Sequence, residues 1–441
     1  MTMVNSGKKE AVALLLGDLL LFVFSLWLTL SLRYNELPDR DVFVSHLEPF
    51  SLLFVFWLLV FFISGLYDKH TNAFKQKLPA VILNAQLTNS IIAALFFYFI
   101  PYYKITPRIN LFIYLLVTIV LTSAWRILFV DRIYLRRTEN VLLIGDTPEV
   151  IEIENELKVN KKYGLTVFRR AETFSETDTA DIPKKVFTII LDLDQWTNLV
   201  RTDELLGMIF SGVRFLDVNN LYEDMFDKVS LSGLSGVWFL KNVSNYQKFL
   251  SDILKRTMDV IISSITGLFS LLLLPLVYLA IKIDDGGPVI IEQERIGKGN
   301  KMIHLFKFRT MNTDDRGVWS KQGEDKRVTR VGRFLRSSRI DELPQLWNVF
   351  AGDISLIGPR PDMVNLGIEL SKEIPFYLMR YTIKPGLSGW AQIHQDLPPR
   401  SVGESRERLA YDFYYLKNRS FFLDIQIALR TIKTLLMRAG L

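Results

Sequence analysis

The stretch LLLLPLVYLAIKIDDGGPV, Leu271 to Val289, decides how this chain is organised. A long apolar run with a proline inside it passes directly into a charged, glycine-rich loop. Residues 258–281 are apolar over about 24 positions, long enough to cross a bilayer. A crossing here would place everything after it on the far side of the membrane. The flanking charges oppose that. Lys255 and Arg256 precede the run, and Lys282, Arg295, Lys298, Lys301, Lys307 and Arg309 follow it. Both flanks are of the cytoplasmic type. Pro275 removes one backbone hydrogen bond and crowds the preceding turn, so a break or sharp kink is expected there. A bent helix that enters one leaflet and returns, over about 257–282, satisfies both facts. Ser263, Ser264, Thr266 and Ser270 are placed to satisfy freed backbone groups. The alternative is a kinked helix that spans.

The rest of the composition agrees with a membrane protein. Of 441 residues, 49% are hydrophobic and 12% aromatic, above the usual range for a soluble globular chain. Net charge is +6. Beside apolar runs, such basic residues mark a cytoplasmic membrane face more readily than a nucleic-acid surface. There are no cysteines, which excludes disulfides, thiolate metal sites and thiol nucleophiles. The four histidines, at 46, 70, 304 and 394, form no H-x-x-x-H pair, so no zinc site is expected.

Four apolar runs precede the central region, at 11–32, 49–66, 82–100 and 111–130. Each approaches the roughly 17–25 residues of a membrane helix. The first is too long for a signal-peptide core and lacks a small-residue cleavage site, so a retained anchor is expected. Lys8 and Lys9, then Lys69, Lys75 and Lys77, then Arg132, Arg136 and Arg137 place both ends of the bundle in the cytoplasm. The third loop carries only Lys104 and Arg108. Asp18, inside the first run, is expected to face other helices. The sequence therefore divides into four transmembrane helices over 1–135, a small domain over 139–235 and a C-terminal domain over 250–441.

In the small domain, NVLLIGD reads as a buried strand ending at a glycine turn. EVIEIENELK reads as a helix, and YGLTVF and KKVFTIILDLD as further strands. This alternation predicts a parallel, Rossmann-like α/β domain. A dinucleotide site needs G-x-G-x-x-G so that backbone can approach a pyrophosphate. The turn here is G-D-T-P-E-V, with one glycine and with Asp146 repelling phosphate. A structural or regulatory module is the better reading.

After Asp284 the chemistry concentrates. IEQERIGKGNKMIHLFKFRTM predicts two short strands around Gly297–Gly299. In RSSRIDELPQLWNVF, Leu343, Leu346, Trp347 and Phe350 have helical spacing. Pro344 is tolerated only in a first turn, so a helix is expected to start near Asp341, with that residue as its N-cap and an anion site beside it. Arg333, Arg336 and Arg339 crowd the same point. A carboxylate among arginines suits phosphoryl chemistry, since it can attack phosphorus while the cations neutralise the phosphates. The plainer alternative is an ordinary cap with surface arginines. Asp341 and Glu342 are adjacent and would point about 100° apart on a regular helix, so they need not share one role. GPRP, Gly358 to Pro361, is a rigid turn presenting Arg360, and its guanidinium suits bidentate phosphate binding. In KPGLSGW, Lys384 to Trp390, the tryptophan is placed either to stack on a base or to lie at the lipid interface.

These motifs, with KRTMDV before the apolar run and KPGLSGWAQI near the end, resemble the bacterial sugar transferases over about 250–441. That family comprises polyprenyl-phosphate sugar phosphotransferases, or monotopic phosphoglycosyl transferases. The four helices and the degenerate α/β domain, CoA-binding-like in character, look like the N-terminal half of its long members, which initiate capsule, exopolysaccharide or O-antigen repeat units. The resemblance implies transfer of a hexose-1-phosphate from a UDP-sugar to undecaprenyl phosphate, with release of UMP. Glucose or galactose is the favoured sugar. Asp341 and Glu342 match the catalytic pair, and Asp341 the nucleophile that carries a covalent phosphosugar. The resemblance further implies Mg2+ at Asp341, and a re-entrant helix broken at Pro275. It implies an α/β-containing catalytic domain at the cytoplasmic face of the bacterial inner membrane, with both termini on that side. Arg295, Lys307, Arg309, Arg336 and Arg360 are the expected phosphate or nucleotide contacts. The implied partners are the UDP-sugar, undecaprenyl phosphate, membrane lipid and a second copy of the chain as a homodimer, with no nucleic acid.

The chain departs from the pattern in two places. HQDLPPRSVGESRERLAYDFYYLKNRS follows AQI where many members have an Asn-Gly turn, and Arg339-Ile340 replaces the usual Ser-Leu before Asp-Glu. A membrane-anchored nucleotide-sugar dehydratase is disfavoured, because the dinucleotide fingerprint is missing and the only Tyr-x-x-x-Lys, Tyr278–Lys282, lies inside the apolar run. A non-catalytic scaffold for polysaccharide assembly would require a defective Asp-Glu pair or a missing phosphate-binding arginine.

Overall fold

The computed structural model describes residues 3–67, 78–99, 108–134, 139–160, 163, 165–172, 188–193, 207–243, 249–311, 327–395 and 397–436. Lys69, Lys75, Lys77, Lys104, Arg136 and Arg137, on which part of the orientation argument rests, lie outside them, as does the start of the strand expected from Lys184. The chain forms two compact units that meet at Val218/Asn219.

The first unit opens with four helices, α1 (Met3–Tyr34), α2 (Arg40–Ile63), α3 (Leu78–Phe99) and α4 (Arg108–Tyr134). Phe22, Leu26 and Leu30 of α1 pack with Phe50, Leu53, Trp57 and Phe61 of α2, Ala85 and Ala93 of α3 and Tyr114 of α4. α2 starts well before the apolar run and carries Pro49 inside it. Val12–Tyr34, Arg40–Ile63 and Pro79–Phe99 are long and apolar enough to cross a membrane, and Asn110–Arg126 is a shorter apolar helix. Arg126 is fully buried and bonds to Asp18 Oδ2 and the carbonyl of Leu66, while the Tyr67 hydroxyl donates to the same Asp18 oxygen at 2.9 Å. Asp18 thus faces the other helices, as expected, and its partner is an arginine inside the fourth run.

The α/β part follows with β1 (Glu139–Ile144), α5 (Pro148–Val159), β2 (Leu165–Ala171), β3 (Thr188–Leu191) and β4 (Arg214–Asp217). The four strands are parallel in the order β2-β1-β3-β4. β3 and the last four residues of β1 are buried, as continuous apolar runs in a parallel sheet must be. Thr147 caps α5 by accepting from the Val150 N–H, and Pro148 occupies the first turn, where no donor is needed. Asp146 pairs with Arg170 at 3.7 Å.

The second unit begins earlier than the sequence suggested. Residues 219–235, read as the end of the α/β domain, belong to it instead. Helices α6 (Val218–Phe226) and α7 (Gly236–Asn242) belong to this region. Glu223 accepts from Lys417 at 2.8 and 2.9 Å, the carbonyl of Asp227 accepts from Trp390 Nε1 at 2.8 Å, and Phe239 packs edge-on against Phe413. No composition shift marks this edge.

Helix α8 (Phe249–Asp284) is a single 36-residue helix that runs through Pro275 without interruption. The helix continues on both sides of Pro275, and a kink, the other form of the expectation, leaves such continuity intact. At about 54 Å, α8 exceeds the roughly 30 Å of a hydrocarbon core. Both ends dock on the same unit. Near the start, Lys255 donates to the Ile357 carbonyl at 2.7 Å, Arg256 to the carbonyls of Val349 and Phe350 at 2.8 Å each, and Asp259 accepts from the Leu356 N–H at 3.0 Å. Near the end, Val277 and Ile281 pack on Phe308 and Leu335, and Asp284 accepts from the Val331 N–H at 3.0 Å. Between these anchors Ile261, Ile265, Leu268, Phe269, Leu272 and Leu276 are exposed. A contiguous apolar surface of this kind marks a membrane or protein contact, and α8 is long and apolar enough to cross a membrane.

The hairpin β5 (Ile290–Ile296)–β6 (Met302–Phe308) follows, antiparallel, turning at Lys298–Asn300 with Gly299 at φ 67°. Then come α9 (Arg330–Ser337), a 3-10 turn at Ile340–Glu342, α10 (Gln345–Ala351), β7 (Ser355–Ile357), α11 (Val364–Glu373), a 3-10 stretch at Tyr377–Thr382, β8 (Gly386–Ser388), α12 (Trp390–His394), α13 (Val402–Asn418) and α14 (Phe421–Leu436). β7 and β8 pair in parallel.

Candidate active site

The Asp341–Glu342 turn is held from two sides. Ile340 and Leu343, on either side of it, pack against the cluster of Val277, Ile281, Phe308 and Leu335. The second half of α8 and the hairpin therefore fix the turn by burial of its apolar neighbours. Upstream, Gly332 lets α9 approach the Thr310 backbone: a Cβ there would lie 2.2 Å from the Thr310 carbonyl. That approach lets Arg336 Nε donate to Thr310 Oγ1 at 3.0 Å. Arg339 takes a left-handed conformation, φ 58°, which ends α9 and redirects the chain into the turn.

Asp341 lies inside this turn and does not cap the following helix. Pro344 stands at the cap position without a side-chain bond, and α10 has only seven residues. The anion site expected at a helix N-terminus is therefore replaced by a site built from side chains. Asp341 is buried, 8% exposed, and its Oδ1 has no hydrogen-bond partner among the described residues. Burial and the neighbouring charge of Glu342 push its carboxyl up to about 6, against the pull of Lys307, Arg336 and Arg339. Glu342 differs. Burial alone would push it up, but Arg360 donates to Glu342 Oε1 at 2.5 Å and, with Arg339 and Lys307, holds it below the usual carboxylate range. Two adjacent carboxylates thus sit in opposite environments, the pattern by which enzymes divide roles between like groups.

The arginine that fixes Glu342 is itself fixed from below. Arg380 is wholly buried and bonds to Asp362 at 2.6 Å and to the Arg360 carbonyl at 3.2 Å. The Tyr377 and Tyr381 hydroxyls each donate to Asp362 Oδ2 at 2.7 Å. This buried cluster holds the chain at the Arg360 carbonyl and at Asp362, on either side of Pro361. Gly386 brings the β8 backbone against Gly358 at the head of the same turn, where a Cβ would lie 2.1 Å from the Gly358 nitrogen. Sequence reasoning missed Arg380, Asp362 and the two tyrosines. Their only sequence signal is the Tyr-x-x-Arg-Tyr spacing on a polar-aromatic stretch.

The structure gathers Asp341, Glu342, Lys307, Arg336, Arg339 and Arg360 into one electrostatic neighbourhood. Two expected contacts sit elsewhere. Arg295 donates to the Pro361 carbonyl at 3.2 Å and to Gln293 at 2.8 Å, bracing the Arg360 turn. Arg309 pairs with Asp285 beside Gly287, where α8 ends. Trp390 takes neither expected role: it is 3% exposed and stacks on Tyr414 in the core. Trp347 and Phe350 are exposed instead.

Among the described residues no group of three or more His, Asp or Glu side chains converges to hold a metal ion. A magnesium ion does not require one, since it binds through one or two carboxylates plus substrate phosphates and water. The unpartnered Asp341 Oδ1 fits that donor set.

Residues 250–438 match the family described as bacterial sugar transferase. A UDP-N-acetylgalactosamine-undecaprenyl-phosphate N-acetylgalactosaminephosphotransferase of Aeromonas hydrophila is 44% identical over 190 residues, 42% of this chain and 44% of the relative. A UDP-glucose:undecaprenyl-phosphate glucose-1-phosphate transferase of Caulobacter vibrioides is 43% identical over 189 residues, 42% of this chain and 70% of that protein. An exopolysaccharide production protein of Rhizobium leguminosarum is 39% identical over 194 residues, 42% of this chain and 96% of that protein. The chain thus matches less than half the length of the Aeromonas relative. The matched stretch contains every residue of the site described above.

Proposed function

The chain belongs to the bacterial sugar transferase family, and we propose that it transfers a sugar-1-phosphate from a UDP-sugar to undecaprenyl phosphate at the cytoplasmic face of the inner membrane. The observation that carries this reading is the division between the two carboxylates. Asp341 keeps an unbonded, poorly solvated oxygen, while Glu342 is neutralised by Arg360. Asp341 is thereby the nucleophile. Its oxygen attacks the phosphorus that bears the sugar, the bond from that phosphorus to UMP breaks, and UMP leaves with the bond's electrons. The aspartyl phosphosugar is then attacked at phosphorus by the phosphate oxygen of undecaprenyl phosphate. The acyl–phosphate bond breaks, the lipid diphosphosugar departs, and the carboxylate is restored. Its raised pKa makes the anion more basic and so more nucleophilic than an exposed aspartate. Lys307, Arg336 and Arg339 offset the charge of the phosphates around it. Mg2+, held by Asp341 together with substrate phosphates, supplies further charge neutralisation when bound.

The docking of α8 supports the membrane placement proposed. Both its ends dock on one globular unit, so a full crossing would need that unit on both sides of the bilayer. The apolar outer face enters one leaflet, and the lipid acceptor meets the site at the surface. Relatives named for glucose and N-acetylgalactosamine transfer show that the family accommodates more than one sugar. Glucose or galactose is our reading for this chain, and it feeds a surface polysaccharide. The test is UMP release by purified protein across a panel of UDP-sugars, with and without undecaprenyl phosphate and magnesium. Release that needs one sugar, the lipid and the metal supports the reading. No release from folded protein with any donor removes it.

A further inference from the structure

Away from the reacting carboxylates, three cations from three elements meet at the far end of α10. Gly352 closes that helix with φ 95°. The last carbonyls of a helix lack intrahelical partners, and Arg256 of α8 supplies donors here. Its two terminal nitrogens reach the carbonyls of Val349 and Phe350 at 2.8 Å each. Lys384 comes to the same place. A Cβ at Gly352 would lie 3.3 Å from Arg256 Nη2 and 3.3 Å from Lys384 Nζ. The backbone after Lys384 is fixed, since the Pro385 carbonyl accepts from the Ser355 N–H at 2.9 Å. Lys298 is the third cation. Its hairpin turn packs on the 3-10 stretch Tyr377–Thr382, just before Lys384. The carboxylates in reach are Asp259 and Asp353, and each already accepts a donor, the Leu356 N–H at 3.0 Å and Asn348 Nδ2 at 3.1 Å. Three cations thus face two carboxylates. Among the described residues Lys384 Nζ has no hydrogen-bond or ion-pair partner. Burial, with Arg256 and Lys298, holds its pKa below the usual lysine value.

We propose that Arg256, Lys384 and Lys298 bind the headgroup phosphate of an anionic phospholipid at the start of the apolar run of α8. Two cations that share one point at 3.3 Å are close enough to bond a single phosphate. Each terminal nitrogen of Arg256 has used one N–H and keeps another, and all the Lys384 donors are open. The surroundings select a lipid. Phe350, whose carbonyl Arg256 holds, and Trp347, one turn before it, are exposed, as are Ile253 and Leu254 beside Arg256 on α8. Apolar and aromatic side chains flanking cations mark the headgroup level of a bilayer. The site is also separate from the reacting centre. The seven residues of α10 put about 10 Å of helix between Gly352 and the Asp341–Glu342 turn. Lys298 stands about 20 Å along the hairpin from Lys307. The acceptor phosphate must reach Asp341, so the headgroup held here belongs to a resident lipid and not to the substrate. Its phosphate joins α8, the hairpin turn and the segment before β8. The inference goes beyond the reaction and rests on the membrane placement proposed above.

The test uses the full-length protein in nonionic detergent. Native mass spectrometry reads bound lipid, and a melting curve is taken without lipid. The probes are dioctanoyl phosphatidylglycerol, dioctanoyl phosphatidylcholine, undecaprenyl phosphate and inorganic phosphate. Wild-type protein should hold phosphatidylglycerol at least about tenfold more tightly than phosphatidylcholine, the value of a charge-assisted bond. Lys384→Gln combined with Lys298→Gln should remove that preference, and added salt should weaken it. Lys384→Arg with Lys298→Arg, which keeps both charges, should retain most of it. Equal affinity for the two phospholipids in the wild type overturns the inference, as does a preference that survives in the folded double glutamine variant. Inorganic phosphate that displaces phosphatidylglycerol at equal concentration assigns the site to a soluble anion. Undecaprenyl phosphate held more tightly, with the same lysine dependence, assigns it to the acceptor. Either result also overturns the inference, and so does a lowered lipid-free melting temperature with unchanged lipid preference, which shows a structural role. UMP release is measured on the same preparations. Protein that releases UMP without a lipid preference loses this inference alone, and protein with the preference but no release loses the reaction alone. Labelling of Ile283→Cys by an impermeant thiol reagent in intact cells would remove the membrane placement itself, and this inference with it.

Discussion

Two buried ionic clusters in this chain behave differently, and the difference separates scaffold from site. In the N-terminal bundle one buried aspartate meets one buried arginine. Asp18 receives Arg126 and the Tyr67 hydroxyl, and the guanidinium also reaches a backbone carbonyl. In the C-terminal unit the charges do not cancel locally. Around Asp341 and Glu342 stand Lys307, Arg336, Arg339 and Arg360, four cations to two carboxylates. Inside a protein each uncompensated charge is costly. A cluster whose charges cancel stabilises a fold, while one that leaves charges open is completed by what binds it. Closure of the charge balance therefore distinguishes the two regions more sharply than burial does.

The largest expected effect tests the open cluster. Asp341→Asn should lower sugar-phosphate transfer by at least about a thousandfold, the scale on which loss of a covalent nucleophile is felt. The same substitution should make the protein more stable. The folded-state pKa of Asp341 is raised, to about 6 from 3.8. Its contribution to stability is therefore fully present below about pH 4 and lost as pH rises through 6. At neutral pH the ionised form costs about 3 kcal/mol, and Asn removes that cost. A calorimetric or fluorescence melt at pH 7.5 reads the gain. Loss of activity together with loss of stability would instead make Asp341 a structural residue.

The closed cluster should respond in the opposite way. Arg126→Ala leaves Asp18 buried and alone, and about 3–5 kcal/mol of stability is expected to go. The surviving folded fraction should turn over normally, because Asp18 and Arg126 lie in the other compact unit. Replacing both partners by apolar residues, Asp18→Leu with Arg126→Met, should recover most of the loss. If the double variant is as unstable as the single one, the pair is not an isolated lock and the contrast between the clusters weakens.

A smaller effect concerns the carboxylate that is held rather than free. Glu342→Gln leaves Arg360 without its partner and lets the guanidinium swing. Turnover is expected to fall roughly 10–100-fold, the range for a misplaced positioning group. Arg380→Lys should produce part of the same loss through kcat, since Arg380 bonds to the Arg360 carbonyl and to Asp362 just beyond it. A change confined to melting temperature would reduce Arg380 to a core residue.

Local pattern made much of this legible in the sequence. The β5–β6 hairpin follows from alternation around Gly297–Gly299, and the parallel strands from short β-branched runs. Arg360 follows from the rigidity of its two flanking prolines. Periodicity cannot tell a lipid-facing side chain from a core one, so Trp347 and Phe350 gave no sign that they would be exposed. Trp390 looked available for a ligand but fills the core, because its N–H meets the Asp227 carbonyl, a partner 163 residues away in sequence. Arg380 with Asp362, and Arg126 with Asp18, are likewise pairings set by the fold. Pro275 marks a break or kink because proline is costly in a helix, and α8 keeps its helical course on either side of it.

The mildest test is the pH dependence of the open cluster. The reacting form of Asp341 is the anion, and its carboxyl titrates near 6 because burial and Glu342 oppose ionisation. The first-order rate with limiting donor should therefore be flat above about pH 7 and fall tenfold per unit below about 6. Arg360 sets part of that threshold indirectly. By keeping Glu342 ionised it maintains the negative charge that raises Asp341. Glu342→Gln removes that charge, and the acid limb should move to lower pH even as the maximum rate falls. A limb that stays near 6 in this variant would assign the ionisation to another group. A limb that moves down would show that the two adjacent carboxylates act as a coupled pair, one held charged so that the other stays reactive.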